Sequence, residues 1–366
     1  MQLPSVAVMR TMVTGATGYV GSRLVCALRN AGHDVVVSTR NPDSLRRFPW
    51  YDEVTAVTLD VDDADSVRDG LAQAGDIDVL YYLVHGIGQP GYNDSDARSA
   101  ATVAQAAREA SVPRIVYLGG FVPDCDMNRM SDHLRSRAAV GEALKLDDGP
   151  DLVWLRAAVI LGAGSTSFEI IRYVADRLAV IPEPDWSGNP MDPISVRDVL
   201  HYLVAVADTE IPAGAYDIAG PDVGTRYRSA LTAYLRAIHQ PRLRIPVPHV
   251  NTRLAGLVAG LLVPVPTSLT ADLVTSLAHP MHASEHAIRD LVPDPPGGLL
   301  SMREAISAAV HTPRPRPVCA LDDVHHLADT DPDWAGGDLM RVRKWVGSTV
   351  CSTTRHVRNV VSTVTG

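Results

Sequence analysis

Three glycines near the N-terminus carry the clearest chemical signal of the chain. The run Thr14-Gly-Ala-Thr-Gly-Tyr-Val-Gly21 places Gly15, Gly18 and Gly21 at intervals of three. It follows a strand-like run and opens a helical pattern, the context in which this spacing binds the diphosphate of a dinucleotide. Gly15 permits a sharp turn, Gly18 lets the diphosphate approach the backbone, and Gly21 lets the helix pack on a sheet. Because N–H groups at a helix N-terminus favour anions, we predict contacts at Gly15, Ala16, Thr17, Gly18, Tyr19 and Val20.

The residues after the second strand-like run distinguish between the two nicotinamide cofactors. An acidic residue there binds the ribose 2′-hydroxyl of NAD(H), whereas an arginine accommodates the 2′-phosphate of NADP(H). The segment Val37-Ser-Thr-Arg-Asn41 contains Arg40 and no acid. A charged hydrogen bond contributes about 1.5–3 kcal/mol, so the sequence predicts NADP(H) over NAD(H) by about tenfold or more. The alternative is an arginine that lies in solvent without a ligand. Further cofactor contacts are predicted after the third and fourth strands, at Asp60, Val61, Leu83, Val84 and His85.

Alternating elements between Arg10 and about residue 160 must position these side chains. Short β-rich runs alternate there with helical patterns. Such alternation predicts a parallel sheet with helices on both faces. The expected fold class is therefore α/β, a Rossmann-type doubly wound parallel sheet with a smaller, mostly helical C-terminal lobe. The predicted strands are Arg10–Thr14, Asp34–Thr39, Val54–Leu59, Val79–Val84, Arg114–Leu118 and Leu152–Arg156, with helices such as Ser22–Ala31 and Ala97–Ala110 between them.

The chain divides into three predicted segments. Residues 10–160 form an NAD(P)-binding domain whose sheet is completed by parts of 161–220, and residues 161–312 form a substrate-side lobe. Residues 313–366 are predicted to be a Pro/Asp-rich linker and a basic C-terminal tail, because Pro313-Arg-Pro-Arg-Pro317 favours a stiff, extended chain. Helices are expected in the lobe at Ser167–Leu178, Val196–Asp208, Tyr227–Ile238, Thr252–Val263 and Met302–Val310.

The tail from Met340 to Gly366 has five basic residues and no acidic one. Val357, Val360, Val361 and Val364 share one face of a helix. The first interpretation is a helix docked on the body of the protein or on a second subunit, so an oligomer remains open. The second is a weak contact with a membrane surface or a polyanion.

Composition excludes several other classes of protein. The 366 residues include 42 acidic and 33 basic ones, a formal charge of −9 that argues against a general affinity for nucleic acid or anionic lipid. No run approaches the ~20 apolar residues of a spanning helix, and no secretory signal is recognisable. The histidines show no metal-binding spacing. Spacing typical of a metal site or a disulfide is also missing among Cys26, Cys125, Cys319 and Cys351, so a reducing cytoplasm is expected.

Five further segments are more specific than the glycine turn. They are Tyr81-Tyr-Leu-Val-His85, Tyr117-Leu-Gly-Gly120, His133-Leu-Arg-Ser-Arg-Ala-Ala-Val-Gly-Glu142, Pro193-Ile-Ser-Val-Arg-Asp-Val-Leu200 and Tyr216-Asp-Ile-Ala-Gly-Pro221. Together with the glycine turn and Arg40, these segments resemble the atypical short-chain dehydrogenase/reductases. Within that superfamily, residues 10 to about 310 are most similar to the bacterial NmrA-like NAD(P)H-binding group, which is related to the NADPH-binding accessory subunit of respiratory complex I.

The resemblance implies a catalytic tyrosine and, four residues later, a lysine that lowers its pKa. The chain departs from this pattern, because neither Lys145 nor Lys344 has a tyrosine four residues before it. The matching positions are His133 and Arg137. A histidine exchanges protons near neutral pH, whereas an arginine holds a ribose but gives no proton. The alternative is a helix-surface pair that only contacts the cofactor. His85 is a second acid/base candidate or a histidine bonded to nearby backbone.

Three functions are compatible with these residues. The first is an NADP(H)-dependent oxidoreductase of an unidentified small or apolar carbonyl, alkene or quinone-like substrate. The second is a non-catalytic NADPH-sensing regulator or accessory subunit, which the missing Tyr-x-x-x-Lys pair favours. The third is a sugar-nucleotide epimerase, whose chemistry depends on that same missing pair.

Overall fold

The computed structural model describes residues 8–86, 92–207, 210–222, 224–312 and 314–338. Pro313 and the basic tail from Met340 onward therefore lie outside the described residues. The strands are β1 (Arg10–Thr14), β2 (Asp34–Thr39), β3 (Thr55–Thr58), β4 (Val79–Tyr82), β5 (Arg114–Gly120), β6 (Asp151–Ala157), β7 (Ile160–Leu161), β8 (Val180–Glu183), β9 (Ile194–Ser195), β10 (Gly214–Asp217) and β11 (Leu243–Pro246).

Helices connect and flank these strands. The α-helices are α1 (Tyr19–Asn30), α2 (Ala64–Ala74), α3 (Tyr92–Glu109), α4 (Asp132–Leu144), α5 (Thr166–Arg177), α6 (Val196–Ala205), α7 (Tyr227–Ala237), α8 (Thr252–Leu262), α9 (Thr267–Ser276), α10 (Ile288–Leu291) and α11 (Met302–Val310). Short 3₁₀ helices cover Pro42–Arg47, Tyr51–Glu53, Met127–Arg129, Asp185–Gly188 and Val318–Ala320.

Seven parallel strands form the central sheet in the order β10-β6-β5-β4-β1-β2-β3. Strand β1 lies between β2 and β4, so Arg10 is opposite Asp34 on one side and Thr11 is opposite Val79 on the other. The winding of the chain reverses at this point, and a crevice opens at the carboxyl ends of the strands. The predicted doubly wound α/β fold is confirmed, and its ligand crevice lies beyond β1 and β4.

Both faces of the sheet are covered, which explains the near-continuous apolar strands. Because successive side chains of a strand point to opposite faces, Val13 and Tyr81 pack with α1 and α6 in one core. Met12 and Leu80 pack with α2 and α3 in the other. The Tyr81 hydroxyl donates to the Leu203 carbonyl at 2.8 Å, which fixes α6 against β4.

The second lobe is mostly helical, as predicted. Helices α5, α7 and α11 share a core around Phe168, and two small parallel pairs, β7–β9 and β8–β11, lie at its edges. Helices α8 and α9 form a close hairpin. A Cβ on Gly256 would lie 2.9 Å from the Ala271 Cα, and one on Gly260 would lie 2.5 Å from the Thr267 Cγ2. The small residues of α8 therefore face α9. In the described part of the chain, no helix is long and apolar enough to cross a bilayer.

The segment after the second lobe is fixed to the first domain. Cys26 of α1 and Cys319 form a disulfide with a Cα–Cα distance of 5.4 Å across 293 residues of sequence. The prediction of unpaired cysteines was wrong for these two, because spacing along a chain does not show which residues the fold brings together. Disulfides are rare in a reducing cytosol, so cysteine usage no longer supports that compartment. The domain boundary at 313 stays a prediction, but residues 314–338 are not a free linker.

Candidate functional site

The glycine turn after β1 has a geometry that other residues would not permit. Gly15 has φ of +75°, and a Cβ there would lie 2.7 Å from the Leu83 carbonyl oxygen. A Cβ on Gly21 would lie only 2.2 Å from the Gly15 oxygen. Real Cβ atoms do not approach this closely, so the start of α1 can contact the turn only through glycine. At Gly18 the corresponding distance is 3.3 Å, which leaves more space.

Helix α1 begins at Tyr19 with free N–H groups at the site. Gly18 is its N-cap residue, no side chain caps it, and its first turn contains no acidic residue. Such a terminus favours a phosphate group. The side chains of three predicted contacts turn into the protein: Ala16 is buried, Val20 packs on the core, and the Arg23 guanidinium lies 4.1 Å from the centroid of the Tyr19 ring. These residues can contribute only backbone groups to a bound diphosphate.

A cleft of about 360 Å³ opens between the glycine turn and the carboxyl ends of β2, β3 and β4. Its volume and polar walls suit a dinucleotide. It contains most of the predicted cofactor residues, and Leu83 lies behind Gly15. The residues that line it are Gly15, Thr17, Ser38, Thr39, Arg40, Asn41, Ser44, Leu59, Asp60, Val61, Asp62, Tyr82, Val84, His85, Gly86, Ser95, Asp96 and Ser99.

Arg40 stands exposed at the rim of the cleft, where β2 ends. The turn that presents it is fixed by Asn41, whose side chain accepts from the Asp43 N–H at 3.1 Å and whose carbonyl accepts from Ser44 at 2.6 Å. Within the described ranges, no carboxylate lies within ion-pair distance of the Arg40 guanidinium. By contrast, both carboxylates that follow β3 have hydrogen-bond partners. Asp60 accepts from the Asp62 N–H, and Asp62 accepts from the Ser99 hydroxyl. The cation at this rim is therefore available to a phosphate.

His85, His133 and Arg137 come together at the other end, where β4 and β5 finish. His133 and Arg137 are one helical turn apart on α4, and the Tyr117 hydroxyl fixes α4 to β5 by donating to the Arg137 carbonyl at 3.1 Å. Burial and then the positive charge of Arg137 lower the pKa of His133 to about 3. One face of His85 opens on the cleft, but the protein around it and then the Arg137 charge place its pKa well below 6.5. Both imidazoles are therefore neutral at pH 7.

Asp96, which the sequence analysis missed, connects the two sides of this end. Its carboxylate accepts from the Gly86 N–H at 2.9 Å and from the Ser136 hydroxyl of α4 at 3.0 Å. It is 8% exposed, and its burial raises the pKa. Asp96 thus holds Gly86, the residue that follows His85, close to Ser136 of α4. It shares a helix face with buried Ala100, and an acid on a buried face is the signal that would have identified it.

A second polar constellation resembles a nucleophilic triad in its order of contacts. The Ser195 Oγ lies 2.8 Å from the Nε2 of His325, whose Nδ1 lies 2.5 Å from the Asp323 carboxylate. Ser195 and His325 are only 1% and 0% exposed, so no substrate reaches them. Ser195 also caps α6 by accepting from the Arg197 N–H at 3.0 Å. This group therefore attaches the C-terminal segment to α6 and is not a hydrolytic site. Across the described residues, no group of three or more His, Cys, Asp or Glu side chains is arranged to hold a metal.

Comparison with known proteins identifies an NAD(P)H-binding domain in this part of the chain. A family model described as NAD(P)H-binding matches residues 15–145. The chain is 30% identical over 268 residues to the ceramide reductase of Caulobacter vibrioides, covering 70% of this chain and 78% of that protein. It is 24% identical over 298 residues to the Arabidopsis thaliana protein named NADH dehydrogenase (ubiquinone) 1 alpha subcomplex subunit 9, mitochondrial. That match covers 77% of this chain and 73% of the Arabidopsis protein.

A solved structure shares the fold at low identity. The triphenylmethane reductase of Citrobacter sp. complexed with NADP(H) superposes with a TM-score of 0.62 at 17% identity, covering 82% of this chain and 99% of that one. The sequence matches, the glycine turn and the seven-stranded sheet agree on one assignment. The chain has an NAD(P)H-binding domain and belongs to the NmrA-like group of the atypical short-chain dehydrogenase/reductases.

Proposed function

We propose that the protein is an NADPH-dependent oxidoreductase that reduces an apolar carbonyl or quinone-like substrate. The observation that carries the proposal is the cleft itself: Arg40 stands at one rim without an ion pair to any described residue, and His85 lies at the other end beside His133 and Arg137. Arg40 supports NADPH over NADH, since a guanidinium pairs with a 2′-phosphate through charge-assisted hydrogen bonds.

The chemistry at the nicotinamide end follows from the protonation state of its residues. When bound, NADPH would supply a hydride for the carbonyl carbon, and the carbonyl oxygen would take one proton from solvent. A neutral imidazole can polarise a carbonyl through its N–H without carrying a positive charge. The Nδ1 of His133 is buried and has no hydrogen-bond partner in the described part of the chain. A buried polar atom without a partner is uncommon and requires an explanation, of which a catalytic role is one. Arg137 supplies the positive charge that offsets negative charge on the substrate oxygen.

One similar protein supports an apolar substrate, since the reductase of Caulobacter vibrioides is named for ceramide, a lipid. The side chains where β5 ends and α4 begins are buried in a core cluster and do not line the cleft: Phe121, Met130, Leu134 and Met281. We also propose a cytoplasmic location, in which the Cys26–Cys319 disulfide would form only under oxidising conditions.

A second candidate is a non-catalytic NADPH-binding accessory subunit. The specific observation in its favour is the replacement of the Tyr and Lys positions by His133 and Arg137, together with the similarity to a subunit of a larger assembly. In this case the low pKa of His133 would have no catalytic use.

Steady-state oxidation of NADPH against aldehydes, ketones and quinones tests the proposal. Turnover of at least one substrate, reduced about 100-fold or more in His133→Ala, is the expected result for a residue that acts on the reacting oxygen. Arg135→Ala is the matched control, since Arg135 lies on the same helix and pairs with Asp132 at the surface. Tight NADPH binding without any turnover would instead favour the accessory subunit.

A further inference from the structure

Helix α8 exposes its large apolar residues and buries its small ones. Gly256, Ala259 and Gly260 face α9, as the short distances to Ala271 and Thr267 show. A helix of a globular protein normally turns its large apolar residues toward the core. Here the opposite face, which we call the α8 face, consists of Leu254, Leu257, Val258 and Leu261, which are 59%, 55%, 49% and 83% exposed.

We propose that the α8 face binds the surface of an anionic lipid bilayer. An exposed aliphatic stripe at i, i+3, i+4 and i+7 on a helix is the arrangement that buries into the interface between headgroups and acyl chains. Further aliphatic side chains of this lobe are exposed on β11, where Leu243 and Ile245 are 61% and 44% exposed. An exposed apolar stripe such as the α8 face marks a contact that the free protein does not satisfy.

The charge of the segment that ends in α8 favours an anionic partner. Residues 225–262 contain six arginines and no Asp or Glu, although the whole chain has a formal charge of −9. Arg236, Arg242 and Arg244 line a shallow hollow of about 620 Å³ with His239, and Arg244 pairs there with Glu183. Arg236 and Arg253 form no ion pair within the part of the chain that the structure describes. The net charge argues against anionic lipid, but charges near the contact decide binding, because charges beyond a Debye length are screened.

The charge of the C-terminal tail also favours lipid over the tail itself or a second copy. The described chain ends at Asp338, which pairs with Arg177, whose guanidinium also donates to the carbonyl of Leu262 at the end of α8. The sequence of the tail, Met340 to Gly366, carries five basic residues and no acid. Packing it on the α8 face, or pairing two copies through this face, would bring like charges together. An anionic bilayer attracts both the arginines and the tail.

The α8–α9 hairpin is joined to the substrate end of the cleft. The Ser276 hydroxyl of α9 lies 2.8 Å from that of Ser131, the N-cap residue of the helix that carries His133 and Arg137. A lobe seated on a bilayer would therefore hold the substrate end of the cleft close to lipid-soluble compounds. The membrane contact does not depend on the proposed reaction, so it can be tested in the absence of any substrate.

Sedimentation of the full chain with vesicles tests this surface. Vesicles of phosphatidylcholine mixed with phosphatidylglycerol are expected to bind the protein about tenfold or more tightly than phosphatidylcholine alone. Leu257→Gln/Leu261→Gln should weaken that binding by about tenfold or more, because two leucines lose their apolar contact. Leu291→Gln, which changes an exposed leucine on α10, is the matched control. Arg236→Gln/Arg253→Gln should reduce the preference for phosphatidylglycerol.

Folding and alternative occupants are checked in the same samples. Thermal unfolding and NADPH binding should be unchanged in the double leucine variant, and Leu261→Asn serves as a milder second variant. The proposal is overturned by equal binding to both vesicle types, or by undiminished binding of both leucine variants. It is also overturned if vesicles bind only after truncation at Asp338, which would show that the tail covers the face. Loss of a dimer in the leucine variants without any vesicle binding would assign the face to a second copy.

Discussion

Arg23 of α1 and Asp331 of the C-terminal segment form a buried, bidentate ion pair across 308 residues of sequence. The two N–O distances are 2.9 and 2.8 Å, and both side chains are almost fully covered. The helix that presents its N-terminus to the cofactor cleft is therefore held from behind by residues near the end of the described chain. The remaining N–H groups of the Arg23 guanidinium donate to the carbonyl oxygens of Tyr19, Val324 and His326.

Removing one member of this pair should destabilise the protein strongly. Asp331→Ala leaves a buried guanidinium without its carboxylate, which costs about 3–5 kcal/mol. The double variant Arg23→Met/Asp331→Leu should recover much of that loss, because two apolar side chains replace two charges. Denaturant unfolding of the three proteins measures the difference. Arg68→Ala is the control, since the exposed Arg68–Asp65 pair contributes less than about 1 kcal/mol. If Asp331→Ala and Arg68→Ala cost the same, the pair does not hold α1.

Two glycines of the turn, Gly21 and Gly18, should have different effects when they are replaced. In Gly21→Ala the new Cβ would meet the Gly15 oxygen at 2.2 Å, so α1 must move, and we expect a loss of about 2 kcal/mol or more in the free energy of unfolding. Gly18→Ala leaves 3.3 Å to the same oxygen and should cost little stability. It should nevertheless weaken NADPH binding about tenfold or more, because a methyl group obstructs the approach of the diphosphate.

Calorimetric titration with NADPH, together with thermal unfolding, separates these two effects. Gly32→Ala provides a control away from the cleft, since a Cβ there meets no atom within 4 Å and only its positive φ opposes the change. A Gly18→Ala protein that binds NADPH as tightly as the parent would show that the diphosphate does not approach this residue.

The sheet could be predicted from sequence because its signals are local. Strands β1 and β2 and helix α11 have the predicted bounds, since buried β-branched runs and a capping Ser301 with Glu304 mark them within a few residues. Strand β10 was placed only within residues 161–220, because Gly-Ala-Tyr-Asp has little β-propensity and pairs with β6 through its backbone.

Long-range contacts explain what the sequence did not show. The Cys26–Cys319 disulfide and the Ser195–His325 hydrogen bond depend on a chain segment that returns to α1 and α6 after more than a hundred residues. Asp96 was missed for a similar reason, since its partners Gly86 and Ser136 lie on two other elements. The cofactor residues that follow strands could be predicted from sequence, because the carboxyl ends of parallel strands all lie at the same edge of the sheet.

Charge reversal at Arg40 should alter cofactor choice rather than the fold. Arg40→Asp places a carboxylate where a 2′-phosphate would lie, and we expect NADPH binding to weaken by about 100-fold, from loss of a charged hydrogen bond and added repulsion. Binding of NADH should be unchanged or stronger, because a carboxylate accepts from a ribose 2′-hydroxyl. Arg46→Asp, on the next turn, is the control. Equal losses for both nucleotides in calorimetry would count against the assignment of Arg40.

Acid should destabilise the protein through His133. The pKa of this side chain is about 3 in the folded protein because of its burial and the charge of Arg137, but about 6.5 in the unfolded chain. Between these values the unfolded state binds more protons, so the free energy of unfolding falls as pH is lowered from about 6.5 toward 3. In His133→Gln this dependence should become shallower by up to about one proton per molecule. Thermal unfolding at several pH values measures it, with exposed His286→Gln as the control. An unchanged pH dependence in His133→Gln would mean that this imidazole has the same pKa in the folded and the unfolded protein, and the lowering of its pKa by burial and by Arg137 would have to be abandoned.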